Sequence, residues 1–504
     1  MYASVGTIEK LLNRRDIFAQ DKEYNETFVV LFTVASSIIW IMVPGLAFLY
    51  SGLARRKSAL SMIWIVFMSS FIGIFQWYFW GYSLAFSNSS KNPFIGDLHN
   101  FGFKNALSIS GSEGSQYPEI AFALFQLQFL LVTLAIIAGG CVAERGRFLP
   151  SMVFLFCWAT IVYCPVVCWI WGGGWAASFK GGVLDYAGGG PVEILSGVSA
   201  FVFSAFLGRR NETLMINYRP HNISTVFLGT CLLYVGWLFF NGFSCGNASI
   251  KVPYSMMNTH ICAAFGAIGW VLLDFRLEKK WSMVACCSGC ISGLVAATPS
   301  SGMIPLWASV ILGLTAGIVC NLSTKIKYIC HVDDSLDVLA EHGIAGVVGL
   351  IFNGLFGLST VIGYDGFSEH DGGWIHHNWK QLYIQIAYIL ATAAYSGVVT
   401  AILCFVINKI PGLHLRIDYQ AEEAGVDEDQ IGEFAYDYVE VRRDFLDWGT
   451  PQDRQGHEEE EEEEAKHSSN PKDAEIYNAV DADSSNASST APGSQEKPDP
   501  VEKE

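Results

Sequence analysis

The chain has 504 residues, of which 51% are hydrophobic, and a formal net charge of −17 at pH 7. The apolar residues lie in blocks of about 20 residues, the length that crosses a bilayer, and this pattern excludes an ordinary soluble globular protein. The negative charge belongs almost wholly to the C-terminal region, since residues 418–504 hold 27 Asp and Glu against 7 Lys and Arg. The sequence therefore predicts a multi-pass membrane protein with an acidic tail.

Eleven apolar spans follow one another along the chain. We predict them at residues 28–50, 60–86, 119–142, 149–172, 190–208, 222–244, 255–275, 282–299, 303–321, 335–358 and 382–409. Alternate loops carry 13 Lys and Arg, whereas the intervening loops carry only 5. Because basic loops are retained in the cytosol, the N-terminus is expected outside and the C-terminus in the cytosol. The expected fold class is an all-α membrane protein with two inverted five-helix repeats plus a final helix.

The spans divide the chain into four predicted parts. These are an extracellular N-terminal segment at 1–27, a membrane domain at 28–409, an ordered cytoplasmic segment at 410–445 and a disordered acidic tail at 446–504. Glycosylation sequons begin at Asn25 and Asn88, on the predicted outer side. The 13 cysteines show neither paired disulfide spacing nor metal-ligand spacing, so no metal or cofactor is expected.

Two spans carry an ionisable residue deep inside, Glu193 in the fifth and His342 in the tenth. Taken singly, His342 is compatible with a core histidine that donates to a backbone carbonyl, and Glu193 with an acid paired to a base. Together they occupy matching places in the two halves, where transporters form their midplane sites, and this favours a transport path. Glycines 343, 346 and 349 are expected to allow close helix approach beside His342.

Several motifs resemble one known family. The stretch 185–189 (DYAGG), with Glu193 eight residues after its aspartate, is similar to the pore signature of the ammonium transporter family (Amt/Mep/Rh). Other segments similar in order and spacing are 44–52 (PGLAFLYSG), 125–129 (FQLQF), 143–145 (AER), 236–241 (GWLFFN) and 342–343 (HG). Segments 75–82 (FQWYFWGY) and 432–434 (GEF) resemble the fungal ammonium permeases in particular. The resemblance covers about residues 28–440.

The resemblance implies roles for individual side chains. Those implied to recruit ammonium at the outer mouth, through aromatic faces and a hydroxyl acceptor, are Phe125, Tyr163, Trp171 and Ser244. The acid implied to support this vestibule and to assist deprotonation is Asp185. The pair implied to close the pore is Phe129 with Phe240, and the residues placed beside the pore are Trp237, Asn241 and Asp337. Without the resemblance, these aromatic residues fit lipid-facing, core or interfacial positions equally well, since aromatics make up 14% of the chain.

One position departs from the usual family pattern. Most members carry two histidines in the pore, whereas this chain has Glu193 at the first position and keeps the second as His342, a substitution found in one branch of the fungal permeases. A carboxylate adds charge to a low-dielectric channel, and the two groups are expected to titrate as a coupled pair. We expect this pair to relay a proton while NH3 crosses, which gives net uptake of NH4+ charge.

The resemblance further implies a plasma-membrane permease for ammonium and methylammonium, assembled as a homotrimer in the lipid bilayer. Residues that resemble the family's regulatory cytoplasmic segment, a place where cytoplasmic regulators would act, are Gly425, Asp427, Gly432, Glu433 and Tyr436. The sequence has no phosphate loop, metal cluster or nucleophile arrangement, so neither enzyme activity nor a nucleic-acid partner is expected.

Two other functions remain open at this point. An ammonium sensor that signals through its cytoplasmic tail is the first, and the loss of one pore histidine weighs against it. A passive gas channel of the Rh kind is the second, and the fungal-type motifs and Trp171 weigh against it.

Overall fold

A computed structural model describes residues 26–87, 89–106, 117–215 and 219–436, apart from the side chain of Thr213. The predicted glycosylation sites Asn25 and Asn88 and the predicted tail 446–504 lie outside the described residues. The predicted cytoplasmic segment 410–445 is described as far as Tyr436.

Within the described ranges, eleven apolar helical spans follow the predicted order. Their bounds are α1 Glu26–Leu53, α2 Arg56–Phe86, α3 Glu119–Val142, α4 Phe148–Gly181, α5 Gly189–Leu207, α6 Ile223–Cys245, α7 Lys251–Glu278, α8 Met283–Ala297, α9 Leu306–Ile329, α10 Leu339–Phe356 and α11 Lys380–Lys409. Ten are long and apolar enough to cross a membrane, and α8, with 15 residues, is a shorter apolar helix. The chain therefore has the predicted all-α, multi-pass fold.

The helices differ in how much of their surface the bundle covers. In the most apolar stretch of α3, 78% of the residues are buried, against 33% in α11, so α3 is central and α11 peripheral. Peripheral faces expose large apolar side chains, among them Phe71, Phe75, Leu390 and Phe405. Such a continuous apolar exterior suits contact with lipid tails rather than with water.

Local interruptions shape several spans. Pro44 has no N–H to continue the helical ladder of α1, and a turn at Trp40 and Ile41 separates Glu26–Ile39 from Met42–Leu53. Single turns of π-helix, called π-turns below, lie at Trp77–Gly81 in α2 and Ala159–Tyr163 in α4. The other two membrane π-turns occupy the first turns of α5 and α10, at Gly189–Ile194 and Leu339–Ile344. This match between the fifth and tenth spans agrees with two repeated halves.

Helices α5 and α10 approach each other more closely than side chains would allow. A Cβ added at Gly197 would lie 2.4 Å from the backbone nitrogen of Gly343, and one added at Gly346 would lie 2.8 Å from the Cβ of Glu193. The expectation of close helix approach at Gly343 and Gly346 is thus confirmed. This contact brings the starts of the two spans together.

The basic end of the bundle is the end that carries loops 143–147, 208–222 and 330–338. Arg210 is buried there, and its Nη1 donates to Glu144 at 2.5 Å while its Nε and Nη2 donate to the carboxylate of Asp333 at 2.8 and 2.9 Å. Although burial raises the pKa of Asp333, the hydrogen bonds and charge of Arg210 outweigh it and lower the pKa to about 2. Arg145 adds bonds to the carbonyls of Gly208 and Asp333. The network holds the loops after α3, α5 and α9 together.

The chain after α11 packs against the same end. The backbone N–H of Arg147 donates to the carbonyl of Leu415 at 2.9 Å. The buried carboxylate of Glu422 accepts from the N–H of Asn211 at 2.7 Å and from Arg416 at 2.7 Å. These bonds attach the start of the predicted cytoplasmic segment to the loops that Arg210 joins.

Candidate functional site

Aromatic side chains gather at the end of the bundle opposite the basic end. We call this end, which carries Phe125 and Trp171, the vestibule end. The ring of Phe125 lies 5.2 Å from that of Phe129 between centroids, and the ring of Trp171 lies 5.6 Å from Phe129 in an edge-on arrangement. Trp171 packs over Gly188, whose φ of +111° suits only glycine and where a Cβ would come within 3.0 Å of the indole. Phe125 and Trp171 therefore both contact the ring of Phe129.

Phe129 and Phe240 stack directly on each other. Their ring centroids are 4.0 Å apart with an interplanar angle of 32°, and both side chains are buried. Ser244 lies one turn beyond Phe240 on α6 and donates to the carbonyl of Phe240 at 2.7 Å. Two rings in contact leave no room between them for a hydrated ion.

A central row of rings continues below the stacked pair. The ring of Trp237 lies 6.2 Å from Phe240 and 6.3 Å from the imidazole of His342, to which it is nearly parallel. The Trp237 indole donates to the hydroxyl of Thr298 at 2.8 Å, which fixes its orientation. The row thus joins the closed pair to the two ionisable residues.

Glu193 and His342 form a direct contact at the end of the central row. Nδ1 of His342 lies 2.9 Å from Oε2 of Glu193, and both residues are buried, with exposed fractions of 2% and 0%. Oε1 of Glu193 has no hydrogen-bond partner among the residues that the structure describes. His342 therefore faces a carboxylate, not a backbone carbonyl as a simple core histidine would. The base paired with Glu193 is His342 itself.

A capping acid precedes each member of this pair by eight residues. Asp185 accepts bonds from the N–H groups of Gly188, Gly189 and Gly190 at 2.7–3.0 Å, at the start of α5. Burial raises the pKa of Asp185, and these three donors oppose the rise. A carboxylate that accepts from three N–H groups at a helix start is an N-terminal cap, here of α5.

The equivalent acid in the second half is Asp334, which the sequence analysis missed. Its carboxylate accepts from the N–H groups of Val338 and Leu339 at 3.3 and 3.0 Å. Asp337, which is predicted to lie beside the pore, bonds to Lys327 at 2.7 and 2.8 Å at the basic end. The common spacing of eight residues between capping acid and pore residue was the signal that could have identified Asp334.

Two other predicted residues lie apart from the vestibule. Tyr163 is buried in the π-turn of α4, and its ring contact among the described residues is with Trp158 at 6.3 Å. Asn241 is buried beside Phe240 and donates to Thr259 at 3.1 Å. The structure therefore places Asn241 next to Phe240, and in the part of the chain that it describes Tyr163 has no ring contact with Phe125 or Trp171.

The predicted regulatory residues divide into docked and exposed groups. Asp427 is buried, and its carboxylate accepts from the N–H groups of Leu60 and Ser61 near the start of α2 at 3.0 and 2.7 Å. Gly425 has a φ of +117° and passes so close to Lys57 that a Cβ would lie 2.6 Å from it. The exposed members are Gly432, Glu433 and Tyr436.

Membrane-length helices around a closed aromatic row with a buried Glu–His pair define a multi-pass membrane transporter. Comparison with known proteins identifies it further. A model of the Ammonium Transporter Family matches residues 30–436. The chain is 60% identical to ammonium transporter MEP3 of Saccharomyces cerevisiae over 432 residues, 85% of this chain and 88% of that protein. It is also 60% identical to MEP1 of the same yeast over 434 residues, 86% of this chain and 87% of that protein.

Solved structures agree with these relatives. The crystal structure of Saccharomyces cerevisiae Mep2 superposes with a TM-score of 0.75 at 45% identity, covering 79% of this chain and 92% of that one. That of Candida albicans Mep2 gives 0.75 at 42% identity, with 83% and 93% covered. The chain belongs to the ammonium transporter family and, within it, to the fungal Mep branch.

Proposed function

We propose that the chain is a plasma-membrane permease for ammonium and methylammonium that separates the ion into NH3 and a proton and carries both across. The observation that carries the proposal is the buried 2.9 Å contact between Glu193 and His342, which the ring of Trp237 separates from the stacked aromatic pair. A buried acid and imidazole in contact offer a place for a proton where a free cation would be poorly solvated.

Recruitment takes place at the vestibule end. The faces of Phe125 and Trp171 attract a small cation, each by roughly 0.5–2 kcal/mol depending on how far the ion is desolvated. The hydroxyl of Ser244 has two lone pairs and accepts an N–H of the ion while it donates to Phe240. Asp185 contributes negative charge behind this site without accepting the substrate proton itself, because backbone donors already occupy its carboxylate.

Passage requires the stacked rings of Phe129 and Phe240 to part. Neutral NH3 is small and loses little when it leaves water, whereas a bare cation in this apolar stretch would be strongly disfavoured. Potassium resembles ammonium in size and charge but has no proton to give up. The closed pair therefore rejects potassium by demanding deprotonation rather than by measuring size.

The proton is carried by the Glu193–His342 pair. When Glu193 is ionised it only accepts hydrogen bonds, so Nδ1 of His342 holds the shared hydrogen. Oε1 of Glu193, which has no hydrogen-bond partner among the described residues, is the atom open to a further proton. The two groups exchange protonation as a unit, and a carboxylate in place of a second histidine makes the pair more favourable to positive charge.

Assembly and control form the last part of the proposal. We propose a homotrimer with one pore in each subunit, and a regulatory role for segment 410–445. The described part of that segment bonds to the basic end through Glu422 and Asp427, so its detachment would free the loops next to the pore exit.

Current across a membrane that contains the purified protein tests the proposal. Ammonium and then potassium are added at one acidic and one alkaline pH, for the wild type and the variants Glu193→Gln and His342→Ala. The proposal predicts a saturable ammonium current that potassium does not produce and that both variants reduce or make independent of pH. Variants with full current and an unchanged pH profile would refute the relay.

A further inference from the structure

Helix α10 carries a second buried acid that the proposed function does not use. Glu341 immediately precedes His342 in the π-turn that begins α10, and only 6% of its surface is exposed. An acid at this depth is unfavourable unless it has a task or a counter-charge, and ionisable groups inside membrane spans usually mark a conduction path.

Groups from several elements face the Glu341 carboxylate. The Ser288 hydroxyl of α8 lies beside it. The titratable groups near Glu341 are Asp334, Asp337 and Lys327 before α10, Tyr50 of α1, Cys287 of α8 and Cys320 of α9. The tyrosine and the cysteines are neutral at physiological pH. All the charged neighbours therefore lie on the side of the basic end.

These charged neighbours lead to an opening. Asp337, held by Lys327, has 28% of its side chain exposed. Both residues line a cavity of about 420 Å³ at the basic end, together with Ser335, whose hydroxyl has no hydrogen-bond partner among the described residues. Glu193 and Glu341 are thus both buried, whereas the side chain of Asp337 is partly exposed at the cavity. The backbone N–H of Glu341 donates to the carbonyl of Asp337 at 2.9 Å, so these two acids lie one turn apart at the start of α10.

We propose that Glu341 is the inner proton carrier of the pore, which takes the proton from the Glu193–His342 pair and passes it to Asp337 at the cavity. The inference rests on the proposed separation of ammonium into NH3 and a proton. A proton leaves the imidazolium or carboxylic acid of the pair and forms an O–H bond on Glu341, directly or through one water. It then moves to the Asp337 carboxylate and finally to an NH3 molecule in the cavity, which regenerates NH4+.

Protonation makes Glu341 neutral, so the buried carboxyl holds its proton without adding a buried charge. Its two states differ by one proton that can be exchanged with the cavity. The pH of the inner compartment should therefore control how readily Glu341 loses its proton. The transport rate should depend on internal pH through this residue.

Proteoliposomes that contain the full chain test the inference. Ammonium-evoked current is recorded while internal pH is stepped from mildly acidic to mildly alkaline, for wild type, Glu341→Gln, Glu341→Asp and Ser288→Ala. Glu278→Gln, which removes an exposed carboxylate from the end of α7, is the matched control. We expect Glu341→Gln to lower the current at least roughly tenfold and to flatten its dependence on internal pH, since a proton-transfer group typically contributes a factor of 10²–10⁴. Glu341→Asp should restore that dependence.

The Ser288→Ala variant separates a proton carrier from a structural link between α8 and α10. A purely structural Glu341 would make Ser288→Ala resemble Glu341→Gln, whereas a carrier leaves Ser288→Ala close to wild type. The inference is overturned if Glu341→Gln keeps a current and an internal pH profile within about twofold of the control, or if Ser288→Ala reproduces its loss. A wild type without ammonium current would overturn the proposed function itself. A Glu193→Gln variant that loses current beside an unaffected Glu341→Gln would overturn this inference alone.

Discussion

Replacing Gly197 with alanine tests whether close packing of α5 and α10 sets the geometry of the Glu–His pair. The added Cβ would lie 2.4 Å from the nitrogen and 2.6 Å from the Cα of Gly343, both backbone atoms that cannot rotate away. Restoring an ordinary separation of about 3.5 Å requires the helices to part by roughly 1 Å. The 2.9 Å contact between Glu193 and His342 spans the same two helices, so it would lengthen beyond hydrogen-bond distance.

Two effects of known size follow from that displacement. Overpacking of a well-packed interior typically destabilises by about 1–3 kcal/mol. Loss of a hydrogen bond to a charged group removes a further contribution of about 1.5–3 kcal/mol. We therefore expect Gly197→Ala to lower the apparent Tm of the purified protein in detergent and to reduce the ammonium current of whatever protein folds.

Gly397→Ala is the matched control. Gly397 lies on the peripheral helix α11, and its added Cβ would meet only side-chain methyls of α5, those of Val198 at 3.4 Å and Val202 at 4.0 Å. Both substitutions replace a helical glycine and so share the same gain in helix propensity, about 0.8–1.0 kcal/mol. The difference between the two variants isolates the clash. Equal Tm and equal current in both would refute the packing argument.

Three further changes probe other parts of the protein. Phe240→Ala removes half of the closing pair and should admit a potassium current that wild type lacks, so continued exclusion of potassium would contradict the gate. Asp333→Asn weakens the bidentate bond to Arg210 and should cost about 1.5–3 kcal/mol near neutral pH. The pKa of Asp333 is about 2 in the folded protein, below the usual value of about 3.9. The carboxylate therefore stabilises the fold fully above about pH 3.9, and this stabilisation is lost as the pH falls towards 2. The difference in Tm between wild type and Asp333→Asn should shrink accordingly in acid. Asp427→Ala leaves two N–H groups unsatisfied near the start of α2 and should lower the free energy of unfolding by about 0.5–2 kcal/mol, the loss typical of a missing helix cap, and Tm with it. Resistance to proteolysis after α11 that matches wild type would count against this docking.

The membrane fold could be predicted from sequence because each span is a continuous apolar block, and hydrocarbon accepts almost no other pattern. The contact between Glu193 and His342 also followed, since both lie at matching places in two repeated halves. The choice between Asp334 and Asp337 did not follow. Three acids crowd residues 333–337, and no pattern within that segment shows which of them caps α10. Only comparison with the first half, where Asp185 precedes Glu193 by eight residues, singles out Asp334.

Arg210 shows a second limit of sequence reasoning. A basic residue in a loop predicts membrane orientation, and nothing nearby indicates burial. In the structure Arg210 is buried because its partners Glu144 and Asp333 come from 66 residues before and 123 residues after it in the chain. Long-range ion pairs of this kind depend on how the helices pack. Glu341 was missed for a related reason, since its neighbour His342 already accounted for the ionisable character of that span.

The ratio of charge to solute tests the central claim most directly. Current and uptake of labelled methylammonium are measured together in the same proteoliposomes, with the membrane potential clamped and Glu193→Gln beside wild type. If the neutral amine and its proton cross separately, wild type should move about one elementary charge for each molecule taken up. In Glu193→Gln, either current and uptake should fall together or the current alone should be lost. Uptake without charge movement in wild type, accompanied by alkalinisation of the interior, would mean that the neutral amine crosses alone and that Glu193 and His342 carry no proton.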